Sequence, residues 1–260
     1  MALKGLNGKV AVVTGAADGI GAATARRLHQ EGVKLALVDV RREPLEALAG
    51  ELRDDALALS ADVSVTSDVE RYTEAALERF GRIDLAVLNA GVAPQVSAIA
   101  DASIEDFDRV IAINLRGNYL TLRAAIRAML AHGEGGAIVS TASMLALQGG
   151  PMFAPYVATK HAVLGLVRSA ALELGRSGIR VNALCPGYVD TAMTRAVEEL
   201  QGDGAAARAV MEKFNAFGRY GTPDEMAAMT AWLLSDEASY CSGGAFSVDA
   251  AITAGSALVD

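Results

Sequence analysis

The sequence predicts one α/β domain: a doubly wound parallel sheet of about seven strands with helices on both faces. Three observations predict it. Short β-branched runs alternate with longer segments of helical period along the whole chain. A glycine-rich turn joins the first run directly to the first helical segment. With 52% apolar and 21% charged residues in 260, there is enough apolar material to cover a sheet on both sides. A length of this order would allow one or two domains, but no repeat, low-complexity tract or linker divides the chain, so 1–260 is read as a single domain.

In chain order, the first strand is read at 10–13, a continuous apolar run of the kind buried on both faces. A turn leads into a helix at 19–31, with Asp18 placed to cap it. A strand at 35–38 ends at Asp39, and a helix follows at 43–53. Next come a strand at 56–60 and a helix at 66–80, where Thr66, Ser67 and Asp68 put capping and acidic groups in the first turn. The strand at 85–88 runs into Asn89-Ala90-Gly91, and one long helix is read at 104–131. After the strand at 137–140, a Gly- and Pro-rich loop leads to a helix at 154–176. A strand at 180–184, helices at 190–215 and 223–235, and a last strand at 246–248 complete the set. Thr222-Pro223-Asp224-Glu225 marks the start of the last helix with a cap, an N1 proline and two acids. Right-handed crossovers wind such a series on both faces and put ligands at the carboxyl ends of the strands.

The helix at 154–176 is apolar around most of its circumference, which predicts cover on two sides: its own sheet and a second subunit. Cover by the chain's own helices is the alternative.

Charge and composition exclude several classes. Acidic residues outnumber basic ones by 31 to 23, a net charge of -8, so nucleic acid and anionic lipid are poor partners. Cys185, Cys241 and the histidines at 29, 132 and 161 show no metal-ligand spacing and no disulfide framework, so no metal is expected. The first ten residues lack the apolar core of a signal peptide, and a cytoplasmic location is expected. Residues 135–159 carry no charge and are long enough to span a bilayer. Six Gly and Pro residues interrupt them, and four Ser and Thr residues would be stranded in lipid, so they suit a binding pocket and not a membrane.

The turn Thr14-Gly15-Ala16-Ala17-Asp18-Gly19-Ile20-Gly21 carries the first chemistry. Its glycines allow backbone N–H groups to approach a pyrophosphate at the positive end of a helix, the arrangement of a Rossmann-type dinucleotide fold. Asp39, at the end of the second strand, can accept hydrogen bonds from both hydroxyls of an adenine ribose and would repel a 2′-phosphate. It favours NAD over NADP, although Arg41 and Arg42 argue the other way.

Tyr156 and Lys160 stand at i and i+4, on one face of a helix. A free phenol titrates near 10. Bringing it close to neutrality takes about 4 kcal/mol, which a close cation and an oxidised nicotinamide can supply together. A Tyr/Lys pair at this spacing is ordinarily a solvated surface pair; here it follows an uncharged loop at a strand end, the setting of a general acid/base.

With the glycine turn, Asp39, Asn89-Ala90-Gly91, Asn114, Ser143 and Tyr156-x-x-x-Lys160 in order, the chain resembles the short-chain dehydrogenase/reductase family over essentially its whole length. The resemblance implies that Ser143, thirteen positions before Tyr156, holds the substrate oxygen, and that Asn114 belongs to a water relay beside Lys160. It implies that Asp62 and Val63 meet the adenine, that Asn89, Ala90 and Gly91 lie beside the cofactor, and that Pro186, Gly187, Val189 and Thr191 hold the nicotinamide end. Lys160 would also bind the nicotinamide ribose. A homotetramer is implied as well.

Asn114 has the alternative of capping a bend, and Asp62 that of a turn residue. Ser140 is read as structural, and Cys185 as a core residue. The substrate pocket is expected from Val92, Ala93, Met144, Leu145, Tyr188 and Met193, with a covering segment at about 188–218. These residues favour an apolar or alicyclic secondary alcohol or ketone. Two departures from the family pattern stand out: Met144 and Leu145 after Ser143, and Asp249-Ala250-Ala251 where Asp-Gly-Gly is frequent. The expected activity is an NAD-dependent alcohol dehydrogenase or ketone reductase. An NADPH-dependent carbonyl or ketoacyl reductase and a non-catalytic dinucleotide-binding protein are the alternatives.

Overall fold

A computed structural model describes residues 2–200 and 202–255. Seven parallel strands form one sheet: β1 (Val10–Thr14), β2 (Lys34–Asp39), β3 (Ala56–Ser60), β4 (Leu85–Leu88), β5 (Gly136–Thr141), β6 (Ile179–Pro186) and β7 (Ala245–Val248). Their order is β3-β2-β1-β4-β5-β6-β7. Successive strand residues point to opposite faces, so an unbroken apolar run supplies two cores at once.

On one face Val12, Ala36, Val38, Ala86 and Ile138 pack with Tyr72 of α3 (Thr66–Phe80), Leu122 and Met129 of α5 (Asn118–His132), and Val163 and Val167 of α6 (Ala154–Leu174). On the other, Ala11, Val13, Leu35, Leu37 and Val139 pack with Leu28 of α1 (Gly19–Gln30), Leu45 and Leu48 of α2 (Arg42–Leu52), and Met226 and Leu233 of α9 (Pro223–Leu234). The strand order reverses between β1 and β4, which opens a crevice at their carboxyl ends.

Three local expectations are corrected. The helix expected at 190–215 is two helices, α7 (Ala192–Glu199) and α8 (Gly204–Glu212). Gly202 at φ +97° ends the first, and the Asp203 carboxylate caps the second by accepting from Ala206 N at 3.1 Å. Gln201 lies outside the described residues. The helix expected at 104–131 is α4 (Ile104–Val110) and α5 joined without a break through a π-helical turn, Ile111–Gly117. Residues 66–68 do not cap α3 by a side-chain hydrogen bond: Val65 holds the cap position, and Asp68 accepts from Asp62 N at 2.8 Å. The Thr222-Glu225 capping box forms as expected.

The helix read as apolar nearly all round is covered mostly by its own chain. Val163, Leu164, Val167, Ala170 and Leu174 are buried, and Leu166 and Ala171 are partly buried against the same core. Leu172 stands out at 88% exposure. Among the described residues no helix is long and apolar enough to cross a membrane, and no cluster of His, Cys, Asp or Glu could hold a metal ion.

Candidate active site

The carboxyl ends of β1, β2, β4, β5 and β6 surround one cavity of about 710 Å³, within the range of small-molecule and cofactor sites. At one end is the glycine turn. Gly15 and Gly19 hold φ of +64° and +53°, and a Cβ at Gly21 would sit 2.0 Å from the Gly15 carbonyl oxygen. Only glycines let α1 settle on this turn with its N-terminus open to the cavity. Asp18 caps α1 by accepting from Gly19 N at 2.7 Å.

The crevice is laced across its two central strands. Thr14 Oγ1 accepts from Asn89 N at 3.0 Å and from Ala90 N at 3.2 Å, and Asn89 Nδ2 donates to the Gly15 carbonyl at 3.2 Å. Thr14 was legible only as the start of the turn, because a strand 75 residues distant is not visible in local sequence.

Asp39, only 7% exposed, accepts from Ala17 N at 3.1 Å and from Arg41 N at 2.9 Å. The Arg41 guanidinium folds back onto the same carboxylate at 3.2 Å and lies 3.9 Å from Asp18. Arg42 turns away, pairs with Glu46 at 2.7 Å and does not line the cavity. Asp62 both lines the cavity and turns the chain, accepting from Ser64 N and Ser64 Oγ at 2.8 and 2.7 Å; Val63 lies beside it.

Ser143, Tyr156 and Lys160 line the same cavity, together with Pro186, Gly187, Val189 and Met193, and with Thr191, whose methyl lies 3.2 Å from where a Cβ on Gly19 would sit. Ser143 Oγ accepts from Leu145 N at 3.1 Å. Lys160, 5% exposed, donates from Nζ to the Thr141 carbonyl at 2.8 Å, with Nζ 5.3 Å from the Tyr156 ring centroid. Asn114, within the π turn, is 2% exposed and brackets Val92, accepting from its N–H at 2.8 Å and donating to its carbonyl at 2.9 Å. A Cβ on Gly91 would lie 3.3 Å from Asn114 Oδ1 and 3.8 Å from Lys160 Nζ, so both side chains close on one glycine.

Five of the expected site residues do not line this cavity, Met144 among them, which is buried in the core. Gly21 acts beneath it through close packing and Asn114 behind it. Leu145 points to the loop at Gly150, and Tyr188 stacks on Tyr220 with ring centroids 5.6 Å apart. Sequence reading passed over Arg109, Ile113 and Thr141, which the fold brings to the cavity.

Electrostatics refine the expected proton chemistry. Burial pushes the Tyr156 phenol up to about 12, with the neighbouring Ser143 hydroxyl pulling the other way. In the protein alone burial sets the direction, and it also brings Lys160 itself down to about 8, with its Nζ engaged by the Thr141 carbonyl. A desolvated site disfavours both charged forms. The buried Cys185 thiol is pushed up to about 11 by burial, which removes it as a nucleophile although Lys160 is near in space.

A helix N-terminus over a glycine turn, and a serine, tyrosine and lysine lining the same cavity, define a dinucleotide-dependent oxidoreductase. A family model described as enoyl-(acyl carrier protein) reductase matches residues 15–253. Cyclohexanol dehydrogenase of Acinetobacter sp. strain SE19 is 39% identical over 250 residues, 95% of this chain and 96% of that one. Levodione reductase of Leifsonia aquatica is 41% identical over 250 residues, 93% and 92% of the two chains. The crystal structure of a 3-ketoacyl-(acyl-carrier-protein) reductase from Brucella melitensis, complexed with NADH, superposes with a TM-score of 0.89 at 35% identity, covering 95% of this chain and 99% of that one. The chain belongs to the short-chain dehydrogenase/reductase family, and is an oxidoreductase acting on CH–OH groups or the corresponding carbonyls.

Proposed function

We propose that the chain is an NAD(H)-linked dehydrogenase/reductase of apolar alicyclic secondary alcohols and ketones. The observation that carries the chemistry is the convergence of Ser143, Tyr156 and Lys160 at one end of the cavity. When bound, the nicotinamide exchanges a hydride with the carbinol carbon. In oxidation the Tyr156 phenolate oxygen takes the hydroxyl proton while Ser143 Oγ hydrogen-bonds the same oxygen, and reduction returns that proton from Tyr156 to the carbonyl oxygen. Lys160 supplies a positive charge near the phenol and a donor for a ribose hydroxyl. Asn114 sets the Val92 backbone beside them.

NAD is favoured over NADP because a 2′-phosphate would meet the Asp39 carboxylate, with Asp18 close by, while Arg41 is already held by both. Asp39→Ser is expected to raise the ratio of kcat/KM for NADPH over NADH by about 10–100-fold, since it removes the repulsion and frees Arg41. An unchanged ratio would place the preference elsewhere.

An uncharged ring is favoured because Val92, Ala93, Ala142, Val189 and Met193 line the cavity that holds Tyr156, and because the relatives named above include a cyclohexanol dehydrogenase. The test is the absorbance of reduced nicotinamide with cyclohexanol and cyclohexanone, set against linear and acidic alcohols, using both cofactors. Greater activity on a hydroxy acid or with NADPH would overturn the reading.

A homo-oligomer is also proposed. Tyr119 and Leu130 on α5 and Leu172 on α6 remain 49%, 47% and 88% exposed in one chain, and a second copy would cover them. Light scattering at micromolar concentration is expected to give a multiple of the single-chain mass; a monomeric mass would end the proposal.

A further inference from the structure

We infer that Asp106 and Arg109 form a positioning pair that fixes one wall of the substrate end of the cavity, and through it the size of ring admitted. The inference rests on the alcohol/ketone reading above. After β4 the chain from Gly91 to Ala98 has no regular secondary structure, so its polar backbone groups lack ladder partners and must be satisfied otherwise. Side chains of α4 and the π turn meet them. Asn114 takes both groups of Val92, as described above. Arg109 Nη2 donates to the Ala93 carbonyl at 2.8 Å, and one Asp106 carboxylate oxygen accepts from Gln95 N at 2.7 Å. The other Asp106 oxygen accepts from Arg109 Nε and Nη2 at 3.1 and 2.6 Å. The carboxylate thus holds the loop at Gln95 and holds the arginine that holds the loop at Ala93.

A pair at i and i+3 on a helix is ordinarily surface decoration that contributes under about 1 kcal/mol. This one differs in two respects. Asp106 is only 7% exposed; burial pushes its carboxyl up, and the Gln95 N–H and Arg109 together more than reverse that. The groups it fixes are also in the wall itself, because Val92, Ala93 and Arg109 all line the cavity. Farther out, Ser97 N donates to the Met152 carbonyl at 3.2 Å. A shift of the Ala93–Gln95 backbone would therefore be passed to the loop ahead of α6.

The test compares Arg109→Gln and Arg109→Lys with the wild type. The readouts are steady-state kinetics on cyclohexanone and a bulkier 2-alkyl ketone, NADH titration by fluorescence, thermal melting, and amide hydrogen exchange across 92–97. In Arg109→Gln, KM for cyclohexanone is expected to rise about tenfold with a much smaller change in kcat. Discrimination against the bulkier ketone falls, NADH affinity stays within about two-fold, and the loop amides exchange faster. Arg109→Lys keeps a cation beside Asp106 but cannot span Asp106 and the Ala93 carbonyl together, so it restores the melting temperature without restoring KM. Wild-type exchange in the Arg109→Gln loop, or a KM that Arg109→Lys restores in step with the melting temperature, would reduce the pair to charge balance and overturn the inference. Weakened NADH binding would move Arg109 to the cofactor and overturn it as well. If the wild type turns over no cyclic alcohol or ketone, the substrate reading fails on its own, and the exchange measurement still decides whether the pair holds the loop.

Discussion

Tyr156→Phe is expected to lower turnover by about 10²–10⁴-fold, the contribution of a positioned general acid/base, while NADH affinity stays within a few-fold. Phenylalanine keeps the ring that packs at the start of α6 and removes only the oxygen. The large effect follows from the geometry, because Tyr156 is the phenol that shares the cavity wall with Ser143, while the Lys160 Nζ is engaged by the Thr141 carbonyl. In the protein alone burial pushes the phenol up to about 12. To work as a base near neutrality its ionisation must become easier by about 7 kcal/mol, more than a free tyrosine would need, and positive charge gathered when the cofactor binds is the available source. Steady-state rates in both directions and a fluorescence titration of NADH provide the check. Retained turnover would mean that the proton travels by another route.

Lys160→Met is expected to separate function from stability. Turnover falls steeply, because the charge near the phenol and the ribose donor are both lost, yet the cofactor-free protein becomes more stable near neutral pH by about 1–2 kcal/mol. The side chain is 5% exposed, and burial depresses it to about 8 from a free value of about 10.4. Below the folded value the protein carries a buried ammonium at a cost approaching about 3 kcal/mol, partly offset by the hydrogen bond to Thr141. As pH rises from about 8 towards about 10, the native lysine loses its proton while the unfolded chain still binds one, so wild-type stability rises through that window. The advantage of Lys160→Met therefore shrinks over the same range. Urea midpoints of the two proteins from neutral to alkaline pH test this; a variant less stable throughout, or a difference that does not vary with pH, would contradict it.

How far the sequence was legible depended on the range of the signal. Strands were readable because both faces of a parallel sheet are buried, so Val10 to Val13 and Leu35 to Val38 are apolar without interruption. The glycine turn and the Tyr156–Lys160 pair were readable because their geometry is local: positive φ at Gly15 and Gly19, and one helical turn between a phenol and an amine. The single helix expected at 190–215 was misread because apolar period continues through residues that Gly202 and Asp203 nevertheless interrupt. Leu145 and Tyr188 are expected at the substrate pocket from sequence, yet in the folded chain they stand off the cavity wall. A side chain's direction is set by what it packs on, and Gly150 and Tyr220 lie elsewhere in the chain. The π turn at Ile111–Gly117 has no period of its own to betray it.

By itself, then, the sequence determined the winding of the sheet, the glycine turn between β1 and α1, the place of Asp39 at the end of β2 and the pairing of Tyr156 with Lys160 on one helix face, all of which depend on contacts within a few residues or on repeating pattern. Tertiary structure alone decided that Arg41 is held by Asp39 and Asp18, that Thr14 ties β1 to β4, that Asp106, Arg109 and Asn114 hold the wall after β4, and that burial drives Tyr156 upward and Lys160 downward. Those outcomes rest on desolvation and on hydrogen bonds between segments far apart in sequence, and neither exists until the chain has folded.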